Sequence, residues 1–260
     1  MKPFLHQLKA LMLRASSSIS ARFFHGKPDP SKPLGTEWHL ARPGVHSRRL
    51  FVFLPGRRDR GSDFVRRGFV TLAQGRVPGL DCVAVDATIG YYLDGSIAER
   101  LQHEIIEPAR AFDYEEIWIV GVSMGGLGAF FHERAYPGRV NGLILLAPFV
   151  GDDLKLFAEI DAARGPIAWA SSQPVGVPPG NKAEFQRDLW RFLGRMPLDP
   201  AFDLPIWIAF GDADRLLPGI ERLRSVISPS RIFRLKGGHT WDVWTTGFAK
   251  ILASIDWRVL

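Results

Sequence analysis

The sequence predicts an α/β domain, a mostly parallel sheet with helices on both faces. From residue 35 onward, short apolar runs alternate with amphipathic segments, the pattern of repeated strand–helix–strand units. The apolar runs end in Gly, Pro or Asp, which punctuate strands rather than helices. One stretch, about residues 151–200, breaks the alternation and shows no strand, so it reads as an insertion of helices and loops into the repeating pattern.

In chain order, "RLFVFLPG" (49–56) is a strand closed by a Pro-Gly turn. "SDFVRRGFVTLAQG" (62–75) sets Phe64, Val65, Phe69 and Leu72 at helical spacing. "LDCVAVDA" (80–87) is the next strand, and the loop after it holds Asp86, Tyr91 and Tyr92. "SIAERLQHEIIEPARAF" (96–112) is a helix with Ser96 and Glu99 in capping-box positions. "EIWIVGVS" is a strand, "MGGLGAFFHERAYP" a helix and "VNGLILLAPF" a strand. After the insertion come the strands "LPIWIAFGDAD" (204–214) and "SRIFRLKGG" (230–238), with helices at about 217–227 and 241–255.

Residues 1–34 stand apart as a basic leader and Pro-rich linker, leaving 35–260 as the main domain. The net charge of +6 suggests a nucleic-acid surface at first sight. Residues 1–28, however, carry five basic residues and no acid, and the rest holds 28 basic against 27 acidic residues. The excess belongs to the leader, so no nucleic-acid partner is expected. Phe4, Leu5, Leu8, Leu11 and Met12 share one helical face. One reading is a helix packed on its own domain. The other is a transit peptide, or a peripheral membrane contact through residues 1–25. No apolar run reaches the ~18 residues of a membrane span. A single cysteine, Cys82, leaves no disulfide framework or multi-cysteine metal site and fits a reducing, cytoplasmic setting. The leader keeps organelle targeting or a membrane surface open as the alternative.

Between the third predicted strand, "EIWIVGVS", and its helix lies Gly121-Val122-Ser123-Met124-Gly125, a G-x-S-x-G. A sharp strand-to-helix turn needs small neighbours, and it lifts the serine hydroxyl clear of the sheet. Serine is a weak nucleophile without a base. Of seven histidines, His6 and His25 lie in the leader, His39 and His46 precede the core strands, and His103 and His132 fall inside helices. His239 follows "RLKGG" directly after the last strand, which makes it the candidate base. Two acids at the end of "PIWIAF", Asp212 and Asp214, compete to orient it, and Asp212 also suits an Asx turn.

With these residues the chain resembles the α/β-hydrolase superfamily, over about residues 48–256. The order Ser123, Asp214, His239 matches the family's nucleophile, acid and histidine. "GDADRLLP" is similar to its acid turn, and "GGHTWDVW" to the histidine end of some esterase branches. At the strand end "FLPGRRD" the chain has Pro55-Gly56 where many members have His-Gly. The resemblance implies a serine hydrolase of carboxylic esters or thioesters, acting on a small acyl substrate without metal or organic cofactor. It implies Asp214 as the triad acid, the backbone N–H groups of Met124 and Arg57 as oxyanion donors, and the 151–200 insertion as a cap. An acyltransferase using the same triad, or a non-catalytic binding protein of that fold, are the alternatives.

Further expectations concern the rim of the site. Trp169 and Trp190 in the insertion would supply apolar walls. Trp241 and Trp244 flank His239 and either shape a pocket or pack the last helix on the sheet. The run 57–67 holds five arginines and two aspartates. Arg57 and Arg58 either meet an anionic substrate, or face solvent and pair with Asp59 and Asp63.

Overall fold

The computed structural model describes residues 32–42, 45, 47–174 and 184–257. Residues 1–31, with the candidate membrane contact through residues 1–25, lie outside the described residues, as does the 175–183 part of the insertion. Seven strands form one sheet in the order β1-β3-β2-β4-β5-β6-β7: β1 (Thr36–His39), β2 (Arg49–Leu54), β3 (Leu80–Val85), β4 (Glu116–Val122), β5 (Gly142–Leu146), β6 (Ile206–Gly211) and β7 (Ile232–Leu235). All neighbours run parallel except β1, an antiparallel edge strand pairing Thr36 with Val85. β1 escaped the sequence reading because "TEWH" is short and exposed on three of its four residues.

Parallel strands buried on both faces need cover on both. Phe51 and Phe53 of β2 turn to one face, where Phe53 meets Phe64, Phe69 and Phe248, and Phe51 meets Trp257. That face is covered by α1 (Gly61–Arg66), α2 (Phe69–Arg76) and the C-terminal helix Trp241–Ser254. On the other face Leu54 lies against Gly125, at the start of the helix Met124–Ala135. The buried rings in this layer each contribute roughly 1.5–3 kcal/mol.

Several local expectations are corrected. The helix expected over 62–75 is two, broken at Arg67 and Gly68, where Gly68 takes φ 76°. Asp86 lies in a loop, but Tyr91 and Tyr92 belong to α3 (Ile89–Asp94) and are buried. Ser96 does not cap the following helix; its N–H and hydroxyl both donate to Asp94. That helix runs as α4 (Ile97–Leu101), a π turn (Gln102–Ile106) and α5 (Glu107–Ala111). Pro108 explains the π turn, since proline lacks an N–H and its ring crowds the carbonyl four residues back. Leu34, assigned to the linker, is buried, and its N–H donates to Glu104 at 2.5 Å, so the domain already includes it. The insertion follows β5 and contains α7 (Leu154–Ala162), α8 (Pro166–Ser172) and α9 (Glu184–Arg195), with α6 being Met124–Ala135. The chain then forms α10 (Leu217–Leu223) and α11 (Trp241–Ser254).

Candidate active site

The site is built where three strands end. Ser123 joins β4 to α6 with φ 52° and ψ −111°. Such backbone is strained for a residue with a Cβ and persists only where its surroundings hold it. Here the Ser123 N–H donates to Leu146, and its carbonyl accepts from Gly126 and Phe149. The flanking glycines permit the crossing. A Cβ on Gly125 would stand 2.0 Å from the Leu54 carbonyl oxygen, and one on Gly121 would stand 2.6 Å from Gly125.

His239 and Asp214 reach the serine from the ends of β7 and β6. The Ser123 hydroxyl lies 3.0 Å from His239 Nε2, and His239 Nδ1 lies 2.9 and 2.8 Å from the two Asp214 oxygens. Asp214 is buried, and one of its oxygens also accepts the Leu216 N–H. The acid turn and the histidine turn are fastened to each other. Asp212 N–H donates to Leu235, Ala213 N–H to Gly237, and Gly237 N–H to the Asp212 side chain. Lys236 adds an ion pair to Asp212 at 2.7 Å. Those contacts hold the Asp212 carboxyl below its ordinary range, the Lys236 contact foremost. Asp212 thus serves the turn, while Asp214 faces the imidazole.

Pro55-Gly56 carries the chain into a turn over residues 56–59, closed by Asp59 N–H to the Gly56 carbonyl. The backbone N–H groups of Arg57 and Met124 have no protein acceptor among the described residues. A Cβ on Gly56 would stand 3.7 Å from Ser123 Cβ and 2.5 Å from an Asp59 oxygen. Gly56, Asp59 and Ser123 therefore share one small space, which the missing side chain keeps open. Asp59 was hidden from sequence reasoning by the surrounding arginines. Its carboxyl accepts from Trp241 Nε1 at 3.3 Å, and burial pushes its pKa up.

The aromatic residues divide. Trp244 sets its ring edge-on to His239 at 4.8 Å. Trp241 packs against Phe64, Phe69 and Trp244, so it fastens α11 to the core and touches the site through Asp59. Trp169 is 2% exposed, with the Arg187 guanidinium over its ring. Trp190 is fully buried and donates to the Val150 carbonyl. Both are packing residues of the insertion, against the expectation of walls open to substrate. Arg58 is exposed at the corner of the 56–59 turn, and Arg57 beside it is half-buried. No group of His, Cys, Asp and Glu among the described residues could hold a metal ion, and no helix among them is long and apolar enough to cross a membrane.

No family model matches the chain, and no curated protein does. Solved structures match it along most of its length. FphF, a fluorophosphonate-binding serine hydrolase of Staphylococcus aureus, is 12% identical with a TM-score of 0.57, over 86% of this chain and 100% of that one. The monoacylglycerol lipase of Paleococcus ferrophilus is 15% identical with a TM-score of 0.55, over 86% and 100%. Est1E of Butyrivibrio proteoclasticus, solved with ferulic acid bound, is 13% identical with a TM-score of 0.54, over 85% and 94%. Seven strands in this order, helices on both faces and these likenesses together show that the chain has the α/β-hydrolase fold.

Proposed function

We propose that the protein is a serine hydrolase that cleaves a carboxylic ester or thioester through an acyl-enzyme on Ser123. The hydrogen-bonded series from Ser123 through His239 to Asp214 carries this reading. In it, His239 Nε2 takes the hydroxyl proton as Ser123 Oγ attacks the acyl carbonyl carbon. Asp214 accepts from Nδ1–H, holds the tautomer that leaves Nε2 free to act as base, and stabilises the imidazolium. The Met124 and Arg57 N–H groups receive the oxyanion, each donor worth about 3–4 kcal/mol in the transition state. His239 then gives its proton to the leaving alcohol or thiol. Water, deprotonated by the same imidazole, releases the acid and restores Ser123. The structural neighbours, a fluorophosphonate-binding serine hydrolase, a monoacylglycerol lipase and Est1E with ferulic acid bound, support acyl chemistry on this scaffold.

The test is a fluorophosphonate label mapped to one residue, alongside turnover of p-nitrophenyl esters and acyl thioesters. Label on Ser123, and loss of both label and turnover in Ser123→Ala with unchanged circular dichroism, is the expected outcome. His239→Ala should lower kcat by about 10⁴-fold or more. Label elsewhere, or turnover surviving in Ser123→Ala, refutes the assignment.

A further inference from the structure

The Asp59 side chain is outside the proton transfers given to Ser123, His239 and Asp214, yet it stands at the same glycine as the serine. A Cβ on Gly56 would lie 2.5 Å from Asp59 Oδ2 and 3.7 Å from Ser123 Cβ. Arg57, whose backbone N–H is the second oxyanion donor of the hydrolase reading, lies between Gly56 and Asp59 in the turn. At its first end the turn leaves β2 through the buried Pro55 and Gly56. At its other end the Asp59 N–H donates to the Gly56 carbonyl at 3.1 Å, and Asp59 Oδ1 accepts from Trp241 Nε1 at 3.3 Å.

Trp241 is a fixed anchor. Its ring stands edge-on to Phe64 at 5.4 Å, Phe69 at 5.5 Å and Trp244 at 5.2 Å, and the Arg67 guanidinium lies over it at 5.8 Å. Trp244 in turn stands edge-on to His239. One indole therefore ties the turn that carries the donor to the helix that follows the base. The arginines beside the turn do not compete for this carboxyl. Asp59 holds Trp241, while Asp63 pairs with Arg66 and accepts the Arg60 N–H. This corrects the expectation that Asp59 and Asp63 neutralise Arg57 and Arg58.

We propose that Asp59 is a positioning residue: its carboxyl, held by Trp241, fixes the 56–59 turn so that the Arg57 N–H meets the oxyanion formed at Ser123. This rests on the hydrolase reading and adds to it the group that holds the second donor in place. A donor stabilises the oxyanion fully only where it already stands at the position the charge will occupy. Gly56 alone leaves the backbone free to swing, so the hold comes from the Asp59 end of the turn.

The experiment follows p-nitrophenyl butanoate turnover, and inhibition by a pentyl trifluoromethyl ketone, in the wild type, Asp59→Ala, Trp241→Phe, their double variant and Asp59→Asn. Ser123 Oγ adds to the ketone carbonyl and leaves an oxyanion at the donors, so the affinity of the ketone reads them directly. Asp59→Ala and Trp241→Phe should each lower kcat about tenfold or more at unchanged KM and weaken the ketone by the same factor. The double variant should lose no more than either single one. Asp59→Asn keeps an acceptor for the indole and should recover most of the loss. Undiminished kcat and ketone affinity in Asp59→Ala overturn the proposal, whether or not its urea midpoint falls. Losses that add in the double variant, or an Asp59→Asn as impaired as Asp59→Ala, overturn it too. If Asp59→Ala does not fold, Trp241→Phe decides by the same readouts, since phenylalanine keeps an aromatic ring against Phe64 and Phe69. Wild-type turnover and label on Ser123 with indifferent variants sink this inference alone, whereas absent turnover and absent label sink the hydrolase reading.

Discussion

Asp212 and Asp214 sit two residues apart and hold different partners. Asp214 is buried against His239, and Asp212 is tied to Lys236 and the Gly237 N–H. Asp214→Asn should therefore lower kcat by about 10⁴-fold, because an amide no longer stabilises the imidazolium or its tautomer. Asp212→Asn keeps an oxygen for Gly237 N–H and should leave kcat within about tenfold. Ester turnover at saturating substrate distinguishes them, and a reversed order would make Asp212 the acid. Ser123 depends equally on its neighbours. Gly125→Ala puts a methyl 2.0 Å from the Leu54 carbonyl, where backbone must move. A loss of about 3 kcal/mol or more is expected in urea unfolding, together with loss of activity.

Helix α6 begins at the strained serine and ends among buried ionisable groups. His132 and Glu133 lie in its last turn, both buried. Burial holds the His132 pKa down to about 4 and pushes that of Glu133 up to about 7. One Glu133 oxygen accepts the Gly138 N–H and the other has no partner. The helix C-terminus is also an unfavourable place for negative charge. The unfolded Glu133 ionises near 4.5 and the folded one near 7. Stability therefore falls as pH climbs between those values and stays reduced above them, by up to about 3 kcal/mol. Glu133→Gln keeps the acceptor for Gly138 and removes the charge. It should stabilise the protein at pH 8 and do little at pH 4.5, with both proteins measured by urea midpoint at each pH. His132 contributes in the opposite sense, since its neutral form is lost as pH falls from 6.5 toward 4, and it cancels in the comparison. A midpoint difference that does not change with pH would place the Glu133 pKa elsewhere.

The insertion is knitted into the whole molecule. Trp190 donates to Val150 and meets Phe157 edge-on, and Phe157 lies under the Arg222 guanidinium of α10. Phe185 packs on Phe131 near the far end of α6, and Arg134 reaches Asp188 at 3.8 Å. Trp190→Ala should cost about 3–5 kcal/mol and lower the temperature of a single unfolding transition. Two separate transitions would show that the insertion folds apart from the sheet. Arg222→Ala should weaken the same seam, by an amount limited by the partial exposure of the Asp161 pair.

The sequence by itself determined the strand runs of the parallel sheet, because strands buried on both faces must be apolar along their length. It also marked Ser123, since the glycines around it answer a local steric demand of one turn, and His239, because it alone follows a strand on a glycine-rich turn. Only the tertiary structure decided what local pattern does not encode. β1 exists because β3 offers an edge, not because "TEWH" favours a strand. Asp212 and Asp214 look alike in sequence and are separated only by the turn that brings Lys236 and Gly237 to one and His239 to the other. Trp169 and Trp190 have the composition of pocket walls, and packing between helices buried them. The 57–67 run reads as a solvated charged face. The fold instead ties Asp59 of that run to Trp241, 182 residues away, because partners are chosen by distance in space.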